Sequence, residues 1–460
     1  MCLSFPRIVM GNNQHIPPMA PHLNRWWGHY GMFKKNPLLF LLQNARTLGP
    51  VFRFKIFHKE YVVVHHPDAV RHVLVNQAKN YSRVKSYSFL QELLGQGLLT
   101  TEGEGWRKQR RLTQPIFSRD QLTQLIHQMD ESILFFFEHE WHSEKKVDLE
   151  KTMNVLTLQL LTQSILYSPN QEHFGQVQFD LHDALVYMTS KRFNALKFLS
   201  FLPSMKKHRG RKAIERLQSL IRDIIANRRL SASSQHHDLL EMLMSTRDEE
   251  TGEQLSDEAL QDEVMTMFVA GHDTTAAALI WILYALECHT KIKQRMMEEL
   301  DAGYQGQAIT GELLQQMPYM KMVVLEAMRL FPPVWAFGRK SREADELMGF
   351  NIAQGQSVNV PIYCVHRHPD FWERPDEFYP EHFLPEAVKS RDKFAYMPFS
   401  LGQHRCIGEH FALMEIQMVL MRIFHHYDIQ LKTAEPMEFL PLVTLKPLTS
   451  MELHVIPKQR

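Results

Sequence analysis

With 460 residues, 52 Lys plus Arg and 51 Asp plus Glu, the chain has no basic excess to set against phosphates, which argues against nucleic-acid binding as its main role. Its 44% hydrophobic content, including 28 Phe and 25 Met, is enough bulky, adaptable material for a large core. Its four cysteines, Cys2, Cys288, Cys364 and Cys406, contain no CxxC pair, so neither a disulfide framework nor a zinc site is expected.

Residues 1–20 contain neither a long apolar run nor the layout of a secretory leader; an irregular start, no transmembrane anchor and a soluble cytoplasmic protein are expected. Asn36 as cap, Pro37 at the first helical position and the stop Gly49-Pro50 predict a helix over 38–48. A strand pair follows: Phe52, Phe54 and Ile56 alternate with Arg53, Lys55 and Phe57, and 61–64 is aromatic and β-branched. His66-Pro67 then turns the chain into another helix. From about 118 to 345 the pattern is mainly helical, with Ile214, Leu217, Leu220, Ile221, Ile224 and Ile225 in one apolar stripe. Residues 231–235 form a polar connection. Ser256 caps a long helix with Asp257 and Glu258 in its first turn, where the helix dipole favours them. That helix has the apolarity of a membrane span over 264–286, but His272 and Asp273 at its middle would be costly in lipid, so it reads as a buried helix. After Phe331-Pro332-Pro333 come short strands, a long irregular stretch to Cys406 and a helix from about Gly408 to His425. No repeat or low-complexity linker appears. One domain over 1–460 is expected, mainly α with a small β-rich lobe.

Four segments combine residues that chemistry can use. Phe399-Ser-Leu-Gly-Gln-His404-Arg-Cys406-Ile-Gly408 sets two glycines around a cysteine directly before an apolar helix. Glycine permits backbone twists that aim amide hydrogens at one sulfur, and a helix N-terminus favours a thiolate. Glu326 and Arg329, three apart, share a helix face and can pair. Trp106 and Arg110, four apart, offer an indole N–H and a guanidinium to carboxylates. Ala270-Gly271-His272-Asp273-Thr274-Thr275 places an acid and an alcohol inside the long apolar helix, where Thr274 can bond a carbonyl one turn earlier and open the helix. Taken singly, these are equally a buried thiol in a tight loop, a surface ion pair, an arginine-rich amphipathic helix and a kinked packing helix.

Taken in chain order, from Gly97-Leu-Leu-Thr100 to Gly408, the segments resemble those of the cytochrome P450 family. The resemblance implies the cytochrome P450 fold, with haem b between the long helix and the cysteine loop and Cys406 as the iron ligand. Trp106, Arg110, Arg339 and His404 are implied propionate partners, and Ala270, Gly271, Phe399 and Gly408 further contacts of the cofactor. Glu326, Arg329 and His382 form the implied structural network, while Asp273 relays protons and Thr274 steadies the oxygen under activation. Two positions depart from the common pattern. His404 stands where an arginine is usual, and His382, in Pro380-Glu-His-Phe383, stands where the family usually has arginine.

The implied activity is insertion of one oxygen atom from dioxygen into a hydrophobic substrate such as a fatty acid, terpenoid or steroid. A thiolate supplies electron density for O–O cleavage, and an acid–alcohol pair in an apolar groove supplies protons. About fifty residues follow Cys406, too few for a flavin module. Electrons are therefore expected from a ferredoxin or flavodoxin with its reductase, and NAD(P)H acts only indirectly. Arg107, Lys108, Arg111 and Arg405 are candidates for docking that acidic partner. Peripheral membrane contact is considered for 196–205 beside Lys197, Lys206 and Lys207. The alternatives are a peroxygenase or isomerase on the same fold, or a haem-binding sensor or carrier without turnover.

Overall fold

The structure, a computed structural model, describes residues 15–83, 88–167, 174–193, 205–230, 238–432 and 437–459. Cys2, most of the considered membrane-contact segment and the polar connection 231–235 lie outside the described residues. The chain forms two compact units: residues 1–83, 335–375 and 390–405, and residues 84–334, 376–389 and 406–460.

The first unit is built on a five-stranded sheet. Its strands run in the order β1 (Val51–Ile56), β2 (Lys59–Val64), then Ser357–Val360, Phe337–Ser341 and Tyr81–Ser82. β1 and β2 are an antiparallel hairpin with Phe54 opposite Tyr61, and β2 pairs in parallel with Ser357–Val360. Val62, Val63 and Val64 are all buried, as a run of β-branched residues in an inner strand should be. Before the hairpin come α1 (Tyr30–Lys35) and α2 (Pro37–Leu48). Asn36 Oδ1 accepts from Leu39 N at 2.9 Å and Gly49 ends α2 at φ +88°, as its capping residues predict.

The second unit is helical and carries α3 (Gly103–Thr113), α4 (Leu149–Leu166), α5 (Met205–Leu230), α6 (Asp257–Cys288), α7 (Pro318–Leu330) and α8 (Glu409–His426). Ser256 Oγ accepts from Ala259 N and starts α6. α4 packs along α6, and Ile214, Leu217, Ile221 and Ile225 of α5 are buried. A Cβ on Gly271 would stand 2.8 Å from Leu161 of α4, so this glycine brings two helices together. Trp281, fully buried on α6, stacks on Phe331 at 5.0 Å and donates to Leu445 O at 2.8 Å. That bond ties α6 to the C-terminal hairpin of Phe439–Pro441 and Leu445–Pro447. Among the described residues, α6 alone has the length and apolarity of a membrane span, and 67% of its apolar window is buried.

Candidate active site

In the second unit, Cys406 is exposed and lies shortly before α8, whose N-cap is Gly408. The N-terminus of this 18-residue helix favours a thiolate over a thiol. Arg110 of α3 lies within electrostatic reach: burial lowers its guanidinium pKa, and the Cys406 charge opposes that shift. Trp106, one turn earlier on α3, is buried at 6% exposure. Of the two glycines expected to twist the loop, Gly402, in the first unit, has φ +69°, and a Cβ there would meet Leu74 O at 2.1 Å. Gly408 corrects that expectation, since its φ of −86° is open to any residue and its Cβ would be 4.0 Å from Phe117.

At the centre of α6, Ala270 is exposed, and Gly271, Asp273 and Thr274 are partly exposed, within a helix otherwise largely buried. Thr274 Oγ1 donates to Ala270 O at 2.7 Å. α6 nevertheless runs unbroken from Asp257 to Cys288, so the expected opening is corrected. The hydroxyl uses a helical carbonyl's second lone pair and leaves the backbone ladder intact. Asp273 accepts from Thr444 Oγ1 at 2.7 Å and pairs with Lys446 Nζ at 3.0 Å; Lys446 also reaches Glu150 of α4 at 2.9 Å. Burial pushes the Asp273 pKa up, but Lys446, His272 and Thr444 outweigh it and hold the carboxyl below its ordinary value. His272 is buried, its Nδ1 lies 2.8 Å from Phe268 O, and burial lowers its pKa against the opposing charge of Asp273.

Glu326 and Arg329 of α7 are both fully buried. Arg329 Nε donates to Glu326 Oε2 at 2.7 Å and Nη2 to Oε1 at 2.8 Å, and Nη2 also reaches Glu377 O at 2.7 Å. Tyr379 N donates to Glu326 Oε1 at 2.8 Å, and His382 Nδ1 lies 3.1 Å from the same oxygen. The histidine therefore stands within hydrogen-bond reach of the carboxylate. In the first unit, Arg339 is buried at the sheet, above the Phe337 ring at 4.6 Å and bonded to Gly338 O at 3.0 Å. Phe399 is partly exposed, and His404 closes the short turn Gly402–His404 with Nε2 3.5 Å from Gln403 Nε2.

Three of the basic residues considered for partner docking carry acidic neighbours. Arg107 pairs with Glu104, Lys108 with Glu253, and Arg111 with Asp248 at 3.0 Å and Glu250 at 3.2 Å. The surface there is charge-balanced rather than basic. Sequence reasoning missed Thr444 and Lys446, which contact Asp273 from more than 160 positions away with no local motif to mark them. It also missed Glu263 and Glu415, buried carboxyls whose pKa values burial raises to about 8. An acidic residue inside a strongly apolar helical stretch is the signal that could have found them.

Among the described residues no cluster of three or more His, Cys, Asp or Glu could hold a metal. An exposed cysteine ahead of a helix N-terminus would fit as the protein ligand of a haem iron, and the surface left open on α6 fits a flat cofactor. The cytochrome P450 family model matches residues 17–453. The chain belongs to the cytochrome P450 family and is a haem-containing monooxygenase of that family. Its relatives include cyclooctatin synthase of Streptomyces melanosporofaciens, 29% identical over 94% of both chains. Human cytochrome P450 4V2 is 30% identical over 86% of this chain and 78% of its own length. The crystal structure of the cytochrome P450DA heme domain matches with a TM-score of 0.87 at 24% identity, over 96% of this chain and 98% of that one, which shows the cytochrome P450 fold.

Proposed function

We propose that Cys406 would hold haem b through its thiolate, that Trp106, Arg110, Arg339 and His404 would serve its propionates, and that Asp273 and Thr274 would handle protons for the reaction. The observation that carries this reading is the exposed residue Cys406 ahead of α8, within electrostatic reach of Arg110. The bound cofactor supplies activation of dioxygen and insertion of one oxygen atom into the substrate. The protein's own contribution starts at the sulfur, which the helix dipole and Arg110 favour as an anion. Thr274 commits its hydroxyl hydrogen to Ala270 O, so its oxygen is the atom that accepts a bond. Asp273 stays ionised beside Lys446 and Thr444 and can accept a proton at either oxygen. Electrons come from a separate redox protein, for which a ferredoxin or flavodoxin with its reductase is the reading proposed.

The substrate is apolar. A cyclic terpenoid is the first class to try, because a relative 27% identical over 93% of this chain is named pentalenene oxygenase, from Streptomyces avermitilis; fatty acids and steroids follow. The test is the carbon-monoxide adduct of the reduced protein. The wild type gives the red-shifted Soret band of thiolate ligation and Cys406→Ser does not; an unaltered band in the variant sinks the assignment. Spin-state titration with the three substrate classes then ranks them.

A further inference from the structure

Charge is unevenly distributed along this nearly neutral chain. Residues 15–59 hold seven Lys and Arg and no Asp or Glu, whereas the whole chain has a net charge of only +1. The same stretch exposes two adjacent indole rings, Trp26 at 76% and Trp27 at 56%. Leu23, Met32 and Phe57 of the same stretch are also exposed. A cluster of large apolar side chains rimmed by one sign of charge marks an interaction surface.

The rings are held by a built turn. Trp26 N and Trp27 N both donate to Asn24 Oδ1, at 2.9 and 3.0 Å, and Asn24 and Gly28 exchange two backbone hydrogen bonds. Gly28 is pressed against β1: its φ is +61°, and a Cβ there would meet Lys55 O at 2.5 Å. Phe57 N, at the tip of the β1–β2 hairpin, donates to Trp27 O at 3.2 Å. The Phe57 ring lies 5.5 Å from that of Trp27 and 4.9 Å from that of Tyr30. Arg25 stands over the Trp26 ring at 5.6 Å and Lys34 over Tyr30 at 5.9 Å. Glu60, the first acid in the chain, is taken up by Arg53 and Lys55. Arg25 and Lys34 at the rings, and Lys35 and Lys59 in the adjoining sequence, are exposed.

We propose that the turn over residues 23–28, α1 and the β1–β2 hairpin tip form a docking surface for an anionic lipid bilayer, with Trp26 and Trp27 seated at the headgroup level. Indoles favour that level because one edge is apolar and the other donates a hydrogen bond. Lysines and arginines on the rim gain from the negative surface potential. A redox protein is the weaker occupant, since electron-transfer contacts are small and polar whereas this surface centres on two wide indole rings. A turn already fixed by hydrogen bonds loses little freedom when it binds. An apolar substrate that concentrates in the bilayer would then meet the enzyme where it resides.

The test uses the haem-loaded protein and two kinds of vesicle, phosphatidylcholine mixed with phosphatidylglycerol and phosphatidylcholine alone, with co-sedimentation as readout. The wild type binds the mixed vesicles more tightly. Trp26→Ser with Trp27→Ser weakens that binding by roughly tenfold or more. Lys34→Glu with Lys35→Glu weakens it by roughly tenfold or more on the mixed vesicles and little on the neutral ones. Brominated lipid quenches tryptophan fluorescence in the wild type and much less in the double serine variant. An unchanged haem spectrum certifies that each variant is folded. Absence of binding, equal binding to both vesicles, or binding indifferent to the indoles overturns the proposal. So does a result in which the same variants lose affinity only for an acidic ferredoxin or flavodoxin.

Discussion

Glu326 is held out of solvent where four hydrogen bonds converge on its two oxygens, two from Arg329, one from Tyr379 N and one shared with His382 Nδ1. Removing one member leaves the others charged or polar in a dry interior, which is costlier than the net value of the pair. Glu326→Ala is therefore expected to destabilise the haem-loaded protein by about 3–5 kcal/mol, measured by thermal denaturation. His382→Ala, which leaves the Arg329 and Tyr379 bonds in place, is expected to cost only about 1 kcal/mol. Equal losses for the two variants would show that the histidine carries more than a supporting bond. The Glu326–Arg329 pair was legible as a three-residue spacing on a helix, because adjacency on one face follows from helical geometry alone. The approach of His382 from 56 positions away was available only through the family resemblance, and Lys446 beside Asp273 was not available at all. Long-range partners are chosen by how helices and hairpins pack, which no local pattern encodes.

Helix ends were the easiest elements to read, since a capping side chain acts within three residues. Asn36 and Ser256 both cap as their types suggest. Ser256→Ala should lower stability by about 1 kcal/mol, read as a shift in denaturant midpoint with the slope unchanged. Loop glycines were harder to read. Gly402 is locked by its positive φ and by Leu74 O, whereas Gly408 is in an ordinary conformation. Gly402→Ala is expected to cost about 1–3 kcal/mol and Gly408→Ala much less, compared in the same denaturation assay. The unbroken course of α6 teaches a related lesson. A threonine that bonds back to its own helix is visible in sequence, but whether the helix opens depends on its neighbours. Here the neighbour is α4, which packs closely at Gly271.

For the whole molecule, mainly helical architecture with small sheets followed from periodicity and turn residues, while the two compact units did not, because each is assembled from three separate stretches of chain. The pH dependence of stability also belongs to this scale. Glu263 and Glu415 are buried with pKa values near 8, against an ordinary 4.5. Between those two values the folded protein keeps a proton at each site that the unfolded chain releases. Their contribution is complete below the ordinary value and is lost as pH rises toward about 8. Glu415→Gln should therefore flatten the alkaline loss of stability, with a gain on the order of 1–4 kcal/mol near pH 8 and none in mild acid. Calorimetric melting across that range checks the sign.

The hairpin that ends in Leu445–Pro447 bears on the redesign of this enzyme. Lys446 bridges Glu150 on one helix and Asp273 on another. A chimera that borrows this segment from a relative to alter substrate taste would thus also exchange the counter-ion of an interior acid. Grafts that keep a cation at position 446 should preserve the electrostatics around Asp273, whereas those that do not would confound altered selectivity with altered acidity.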